Sequence, residues 1–266
     1  MDDPVHDSFP PTTGWRQLSH LSTQLLARLG CYLGNLLASH CLLCGAASGN
    51  DPVCPACAGE LPRLLPGDSC PCCGEGGSGG AVCGRCLRQP PPFRSTSAAW
   101  RYAFPADRLV QALKYQHRLA LAGWLGRQLA SSITVPDCDW IIPLPLHPER
   151  LAERGFNQSQ LIAEALGKCL RRPVDRDSLV RIRPTPPQAA LAYRRRQANV
   201  RGAFACQRDF RQQRLLLVDD VMTTGATLRE AARVLRLHGA SEIRLAVVAR
   251  AQRDDRRILL RPDSMV

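Results

Sequence analysis

Residues 215–227 read Leu-Leu-Leu-Val-Asp-Asp-Val-Met-Thr-Thr-Gly-Ala-Thr, a set of acids and small hydroxylated residues with the chemistry to hold a phosphorylated sugar. Leu215 to Val218 give a short buried strand, Asp219 and Asp220 follow at its C-terminal edge, and a Thr/Gly/Ala loop opens a helical pattern from Leu228. Gly225 and Ala226 permit close backbone approach. The hydroxyls of Thr223, Thr224 and Thr227 can donate to phosphate oxygens, and N–H groups at the helix start point at the same anion. Carboxylates repel phosphate, so Asp219 and Asp220 must face another part of the ligand, for which ribose hydroxyls and a metal ion are the natural partners. A sugar phosphate satisfies both halves.

The cysteines carry a second chemistry. Nine of the thirteen lie between residues 41 and 86, as Cys41-x2-Cys44-x9-Cys54-x2-Cys57 and then Cys70-x2-Cys73-x9-Cys83-x2-Cys86. The spacing occurs twice, with a glycine (Gly45, Gly74) directly after the second cysteine of each half. Paired C-x2-C turns in a reducing compartment read as zinc ligands, because thiolates on two tight turns complete one tetrahedron. Disulfides, the rival use, need an oxidising compartment. Two structural Zn2+ ions are expected, either on sequential quartets (Cys41, Cys44, Cys54, Cys57 and Cys70, Cys73, Cys83, Cys86) or cross-braced with the same ligands. Four sulfurs leave no position for water, so this zinc holds the fold and does no chemistry. Cys72 is left over, and the isolated Cys31, Cys138, Cys169 and Cys206 read as small buried residues.

Two further segments add charge near the acids. In residues 140–160 a strand, Trp-Ile-Ile-Pro, ends in a loop bearing His147, Arg150, Arg154 and Asn157, after which a helix starts. Ligands of an open α/β sheet bind outside the carboxyl ends of its strands, so this loop and the Asp219 loop should share one crevice. Residues 185–199 hold Gln188, Arg194, Arg195, Arg196 and Asn199 in a polar, Pro-flanked stretch that reads as a mobile loop.

The elements that position these groups alternate strand and helix. The patterning predicts strands at 97–102, 139–143, 214–221 and 242–249. It predicts a long amphipathic helix over 107–129 and helices over 158–170 and 228–238, the last ended by Gly239. Such alternation means a parallel α/β sheet flanked by helices. Gly76 to Gly80 and Pro90 to Pro92 punctuate the end of the cysteine region. Three parts result: an N-terminal extension with an amphipathic helix (1–38, apolar positions from Trp15 to Leu37), a double zinc-knuckle module (39–92) and the α/β domain (93–266).

The 215–227 stretch resembles the phosphoribosyl-pyrophosphate (PRPP) signature of type I phosphoribosyltransferases at every position. More of the chain resembles the ComF/GntX family of phosphoribosyltransferase-like proteins. The match is carried by the C-x2-C knuckles, Leu113-Lys114-Tyr115, the Arg-Gly-Phe-Asn-Gln run at 154–158, Gln188 with Leu191, and Arg196 with Asn199, Gly202 and Phe204. It covers roughly residues 40–250 and implies a type I phosphoribosyltransferase fold carrying a small N-terminal zinc module. It further implies PRPP bound with Mg2+ on Asp219, Asp220, Thr223, Thr224, Gly225, Ala226 and Thr227, with Arg150 and Arg154 in a pyrophosphate loop at 144–154 and Asn157 just after it. Gln188, Arg194 and Arg196 would fold over the diphosphate. Asp219, Asp220, Arg194 and Arg196 would be the catalytic set of a pentosyl-group transferase whose acceptor the residues do not identify. The family is linked to natural transformation and DNA uptake, which implies helicase or membrane machinery as partners. The chain lacks the N-terminal nucleophilic cysteine of a glutamine amidotransferase, so glutaminase chemistry does not carry over.

Composition bounds these readings. No run of about eighteen apolar residues occurs, and the opening Met-Asp-Asp-Pro has the wrong charge for a secretory leader, so a cytoplasmic protein is expected. The net charge of +12 is concentrated: residues 150–214 hold fifteen Arg or Lys against five acids. Only Lys114 and Lys168 are lysines, so most of the positive charge is guanidinium, suited to bidentate phosphate contacts. A rival to the enzyme is a non-catalytic zinc protein that binds single-stranded DNA through this segment. Its four Trp, four Tyr and six Phe offer few stacking platforms.

Overall fold

The computed structural model describes residues 39–64, 66–133, 138–184 and 200–252. The helix expected over residues 15–37, Cys31 and the 185–199 loop with Gln188, Arg194 and Arg196 lie outside the described residues. Two compact units, Met1–Pro55 and Ala56–Val266, make up the chain.

In the first unit, β1 (Ser39–His40) pairs antiparallel with β2 (Ala47–Gly49) around the first knuckle. The turn closes by Cys41 N–H to Ala46 O and Gly45 N–H to Cys41 O, both 2.8 Å. Gly45 takes φ 74°, a left-handed value that a side chain resists, which is why glycine follows the second cysteine. α1 (Pro55–Gly59) follows in the chain, all but its first residue belonging to the second unit.

The second unit repeats that turn. Cys70 N–H bonds Glu75 O and Gly74 N–H bonds Cys70 O, again at 2.8 Å, with Gly74 at φ 66°. α2 (Gly84–Arg88) carries the last cysteine of the repeat. A four-stranded parallel sheet then forms in the order β3 (Ser95–Arg101), β8 (Glu242–Arg250), β7 (Arg214–Met222), β4 (Trp140–Pro143). The two central strands are apolar because they are covered on both faces: Leu215 to Val218 and Leu245 to Ala249 are all buried.

Helices α3 (Ala106–Tyr115), α4 (Ala120–Ser131), α5 (Pro148–Arg154), α6 (Gln158–Leu170) and α7 (Ala226–Leu237) complete the domain. An antiparallel pair, β5 (Leu179–Arg181) and β6 (Phe204–Cys206), stands apart from the main sheet. Trp100 of β3 stacks on Trp124 of α4 at 5.6 Å between ring centroids. α4 and α6 approach so closely at Gly126 that a Cβ there would lie 2.6 Å from that of Ala165.

Three expectations need correction. The helix expected over 107–129 is two helices, α3 and α4, broken where His117 takes φ 54°; the apolar spacing runs through the break because both pieces pack on one core. The stretch expected as open loop between β4 and α6 contains α5, whose seven residues are too few to show a periodicity. Cys169, expected to be buried, is exposed, whereas Cys138 and Cys206 are buried.

Candidate functional site

β7 runs straight through the acid pair, with Asp219 opposite Val247 and Met222 opposite Arg250. Both carboxylates are therefore held by the sheet, at 8% and 3% exposure. Asp219 Oδ1 accepts from Ser159 Oγ at 2.8 Å and from the backbone N–H of Asp220 at 2.9 Å. Asp220 Oδ1 accepts from Val221 N–H at 2.8 Å, and its Oδ2 lies 2.5 Å from the Lys114 ammonium. Burial, then the neighbouring Asp220 carboxylate, push Asp219 up to about 7, against the pull of Lys114 and the Ser159 hydroxyl. Burial alone would lower Lys114, but Asp220 more than reverses this and holds the ammonium above the usual lysine range. Lys114 thus supplies the countercharge that lets a buried carboxylate pair exist.

These groups open onto a cleft of about 440 Å3. Its walls include Asp219, Asp220 and Thr227 from the signature, Arg150 and Arg154 from α5, and Arg181 from β5. Arg150 pairs with Glu153 at 2.8 Å, and Arg154 donates to Gln158 Oε1 at 2.7 Å and stands over the Tyr115 ring. Both guanidiniums sit at the rim on side-chain partners of modest strength, from which an anion can draw them. His147 and Glu149 line the same wall.

The Thr/Gly loop of the signature runs from β7 into α7. Gly225 takes φ 75° as the helix cap, and a Cβ there would come within 2.5 Å of the Met222 side chain, so only glycine makes this turn. The helix starts at Ala226, two residues before the pattern expected from Leu228. Thr224 is buried, and its hydroxyl oxygen accepts from Ala226 N–H at 3.3 Å. Asn157 caps α6 through Ser159 N–H at 3.0 Å and donates to Leu144 O at 3.1 Å, which ties the end of β4 to the helix carrying Ser159.

Three cleft residues escaped the sequence reading: Ser159, Arg181 and Lys114 as an ion-pair partner. Lys114 had a signal. It is one of two lysines among 35 basic residues, one step after fully buried Leu113. Ser159 and Arg181 carry no local mark.

The cysteines converge in sequential quartets. The four sulfurs of Cys41, Cys44, Cys54 and Cys57 lie within 4.8 Å of one another, and so do those of Cys70, Cys73, Cys83 and Cys86. Every described cysteine is free of disulfide. Cys44 and Cys54, and equivalently Cys73 and Cys83, stand 3.7 Å apart at sulfur. Burial pushes Cys41 up, but backbone N–H groups of Cys54, Cys44 and Leu43 more than offset it and bring the thiol to about 6. Cys70 is brought to about 7 by the same opposition, with Cys83 N–H donating to its sulfur at 3.3 Å. Four convergent sulfurs with N–H donors behind them fit a tetrahedral zinc thiolate site of structural type.

Residues 189–264 match the phosphoribosyl transferase domain family and residues 32–87 match the double zinc ribbon domain family. The chain is 33% identical over 224 residues to the DNA utilization protein YhgH of Escherichia coli O157:H7, covering 79% of this chain and 96% of that protein. It is 32% identical over 203 residues to competence protein F of Haemophilus influenzae, covering 69% of this chain and 86% of that protein. The chain belongs to the ComF family. Competence protein ComFC of Bacillus subtilis is a more distant ComF relative, 28% identical over 222 residues, 73% of this chain and 88% of its own. Solved structures resembling the ComF chain include the glutamine PRPP amidotransferase of B. subtilis (21% identity, 47% of this chain, 25% of that chain, TM-score 0.34). Another is a purine phosphoribosyltransferase of Pyrococcus horikoshii (19%, 58%, 78%, 0.28). Among the described residues no helix is long and apolar enough to cross a membrane.

Proposed function

We propose that this ComF protein binds PRPP with Mg2+ in the cleft at the end of β7 and transfers its 5-phosphoribosyl group to an acceptor its residues do not identify. The observation that carries the reading is the acid pair itself. Two adjacent buried carboxylates, countered by one lysine 2.5 Å from Asp220, open onto the same cleft as the first turn of a helix entered through a glycine cap. That combination accepts hydroxyls and a cation on one side and a phosphate on the other.

In the reaction, the bond between the anomeric carbon and the pyrophosphate oxygen breaks, with its electron pair leaving on pyrophosphate, and the acceptor forms the new bond to that carbon. Asp219 and Asp220 hold the ribose hydroxyls as positive charge develops on the ring, and their buried charge favours that oxocarbenium-like state. The 5-phosphate is received at the start of α7, where Thr227 lines the cleft. Arg150 and Arg154 approach the leaving diphosphate; by the family resemblance Arg194, Arg196 and Gln188, outside the described residues, would add to its neutralisation. Mg2+ supplies further neutralisation of the diphosphate when bound, and a carboxylate pair is a hard-oxygen donor set of the kind it prefers. The thiolate quartets require a reducing compartment, which supports a cytoplasmic setting, and the competence names of the relatives support a part in DNA uptake.

Incubation of zinc-loaded protein with PRPP, Mg2+ and a panel of bases and nucleotides, following pyrophosphate release, tests the transfer. Release dependent on one acceptor class supports it. PRPP binding without release on any acceptor would favour a sensor, and absence of PRPP binding would remove the reading.

A further inference from the structure

The carbonyl side of the phosphate loop is gripped by two guanidiniums. Arg250, at the end of β8, is 0% exposed. Its Nη1 donates to Met222 O at 3.0 Å, to Thr223 O and to Ala251 O at 2.6 Å. Arg85 Nη2 donates to the next loop carbonyl, Thr224 O, at 2.9 Å. Three successive carbonyl oxygens, 222 to 224, are thus turned toward cations. A peptide that directs its C=O one way directs its N–H the other, so this grip presents the loop's donors to the anion side.

Both guanidiniums are anchored on the second cysteine knuckle. Arg250 Nε donates to Cys73 O at 2.7 Å, and its Nη2 pairs with buried Glu75 Oε2 at 3.0 Å. Gly74 lies against the Arg250 stem, where a Cβ would stand 3.5 Å from Cγ. Gln252 fixes the same turn, donating to Gly74 O at 3.2 Å and accepting from Gly76 N–H at 2.6 Å. Arg85 sits between the metal-ligand positions Cys83 and Cys86 on α2. A buried guanidinium is stable only with its partners in place, and these partners are the backbone of the knuckle.

We propose that Arg250 and Arg85 are positioning residues that couple the second zinc site to the phosphate loop, so that zinc on Cys70, Cys73, Cys83 and Cys86 is a condition for sugar-diphosphate binding. This rests on the PRPP reading for its ligand, but the coupling itself is a property of the chain. Without zinc the 70–75 turn loses its shape, Arg250 loses Cys73 O and Glu75, and the loop carbonyls are released. The second knuckle then does more than staple a small module; it gates the site.

The test uses the full, zinc-loaded chain in two arms. Hydrogen exchange, which needs no ligand, compares wild type with Arg250→Gln, Arg85→Ala and Arg85→Lys. Faster exchange in 222–227 is expected in the first two, with 215–218 unchanged and Arg85→Lys closer to wild type. Calorimetry with PRPP and Mg2+ is the second arm, where Arg250→Gln should weaken binding about tenfold or more and Arg85→Ala about three- to tenfold. Should Arg250→Gln fail to fold, Arg85→Ala carries both readouts. Unchanged loop exchange in a folded Arg250 or Arg85 variant, or faster exchange spread evenly over the sheet, would overturn the coupling. Wild type that binds no PRPP would instead overturn the ligand reading and leave the exchange arm to decide the coupling.

Discussion

The two cysteine knuckles have one spacing, one turn geometry and one ligand set, yet they sit in different surroundings. In the first, Cys44 is exposed and the turn bonds to Pro52 O and Ala46 O nearby. In the second, Cys70, Cys73 and Cys86 belong to the main core with Phe93, Leu215 and Val247, and the turn is bonded to Arg250 and Gln252 at the chain's other end. A repeat therefore duplicates a metal site without duplicating its consequence. What a structural zinc controls is set by what its turn holds.

The first knuckle is a natural control for the second. Cys73→Ser and Cys44→Ser should each cost one zinc by metal analysis. Only Cys73→Ser should lower PRPP affinity by calorimetry, by about 10- to 100-fold, the range typical of damage to a metal site and its supports; equal losses would break the distinction. A change that spares both zincs isolates the acid pair. Lys114→Met should keep two zincs and yet destabilise the fold by about 3 kcal/mol at pH 8 in denaturant unfolding, because Asp220 loses its countercharge. The loss should shrink toward pH 5 as Asp219, whose carboxyl is raised to about 7, takes up a proton and removes one of the two buried negative charges.

The titration of Asp219 gives a smaller effect. Its folded pKa is raised from 3.8 to about 7, so the proton on Asp219 favours the folded state below pH 4, and that contribution is lost as pH rises through 7. Holding a cation requires the proton to leave. Mg2+-dependent PRPP affinity should therefore fall about fivefold from pH 7 to pH 6 and approach tenfold per unit below that, and a flat profile would remove the role given to Asp219. The smallest effect lies in the glycines: Gly45→Ala and Gly74→Ala should each cost about 1 kcal/mol from the left-handed turn. Only the latter lies against the Arg250 stem, so only there should the strained turn also shift the exchange of 222–227.

Sequence made the local parts of this site legible and hid the long-range ones. The 215–227 stretch and the doubled C-x2-C spacing are contiguous, so the strand, the loop after it, α7 and the eight cysteine ligands follow from residue type and interval, whereas the sequential grouping of those cysteines needed the structure. α6 was readable for the same reason, its apolar positions in register over 158–170, whereas the capping role of Asn157 came from the structure. Arg250 was not, because it reads as one more arginine in an arginine-rich chain, and its partners at 73 and 75 are nearly two hundred residues away. Ser159 became visible only once α6 was packed against β7. The break at His117 was hidden because α3 and α4 continue a common apolar spacing across it.

The central claim is that Asp219 and Asp220 belong to a ligand site and not to the core, and one titration tests it most directly. Calorimetry of the zinc-loaded protein with PRPP, with and without Mg2+, should show Mg2+-dependent one-site binding in wild type. Asp219→Asn and Asp220→Asn should lose that binding while keeping two zincs and a cooperative unfolding transition. Binding of unchanged affinity in both folded variants would contradict the account.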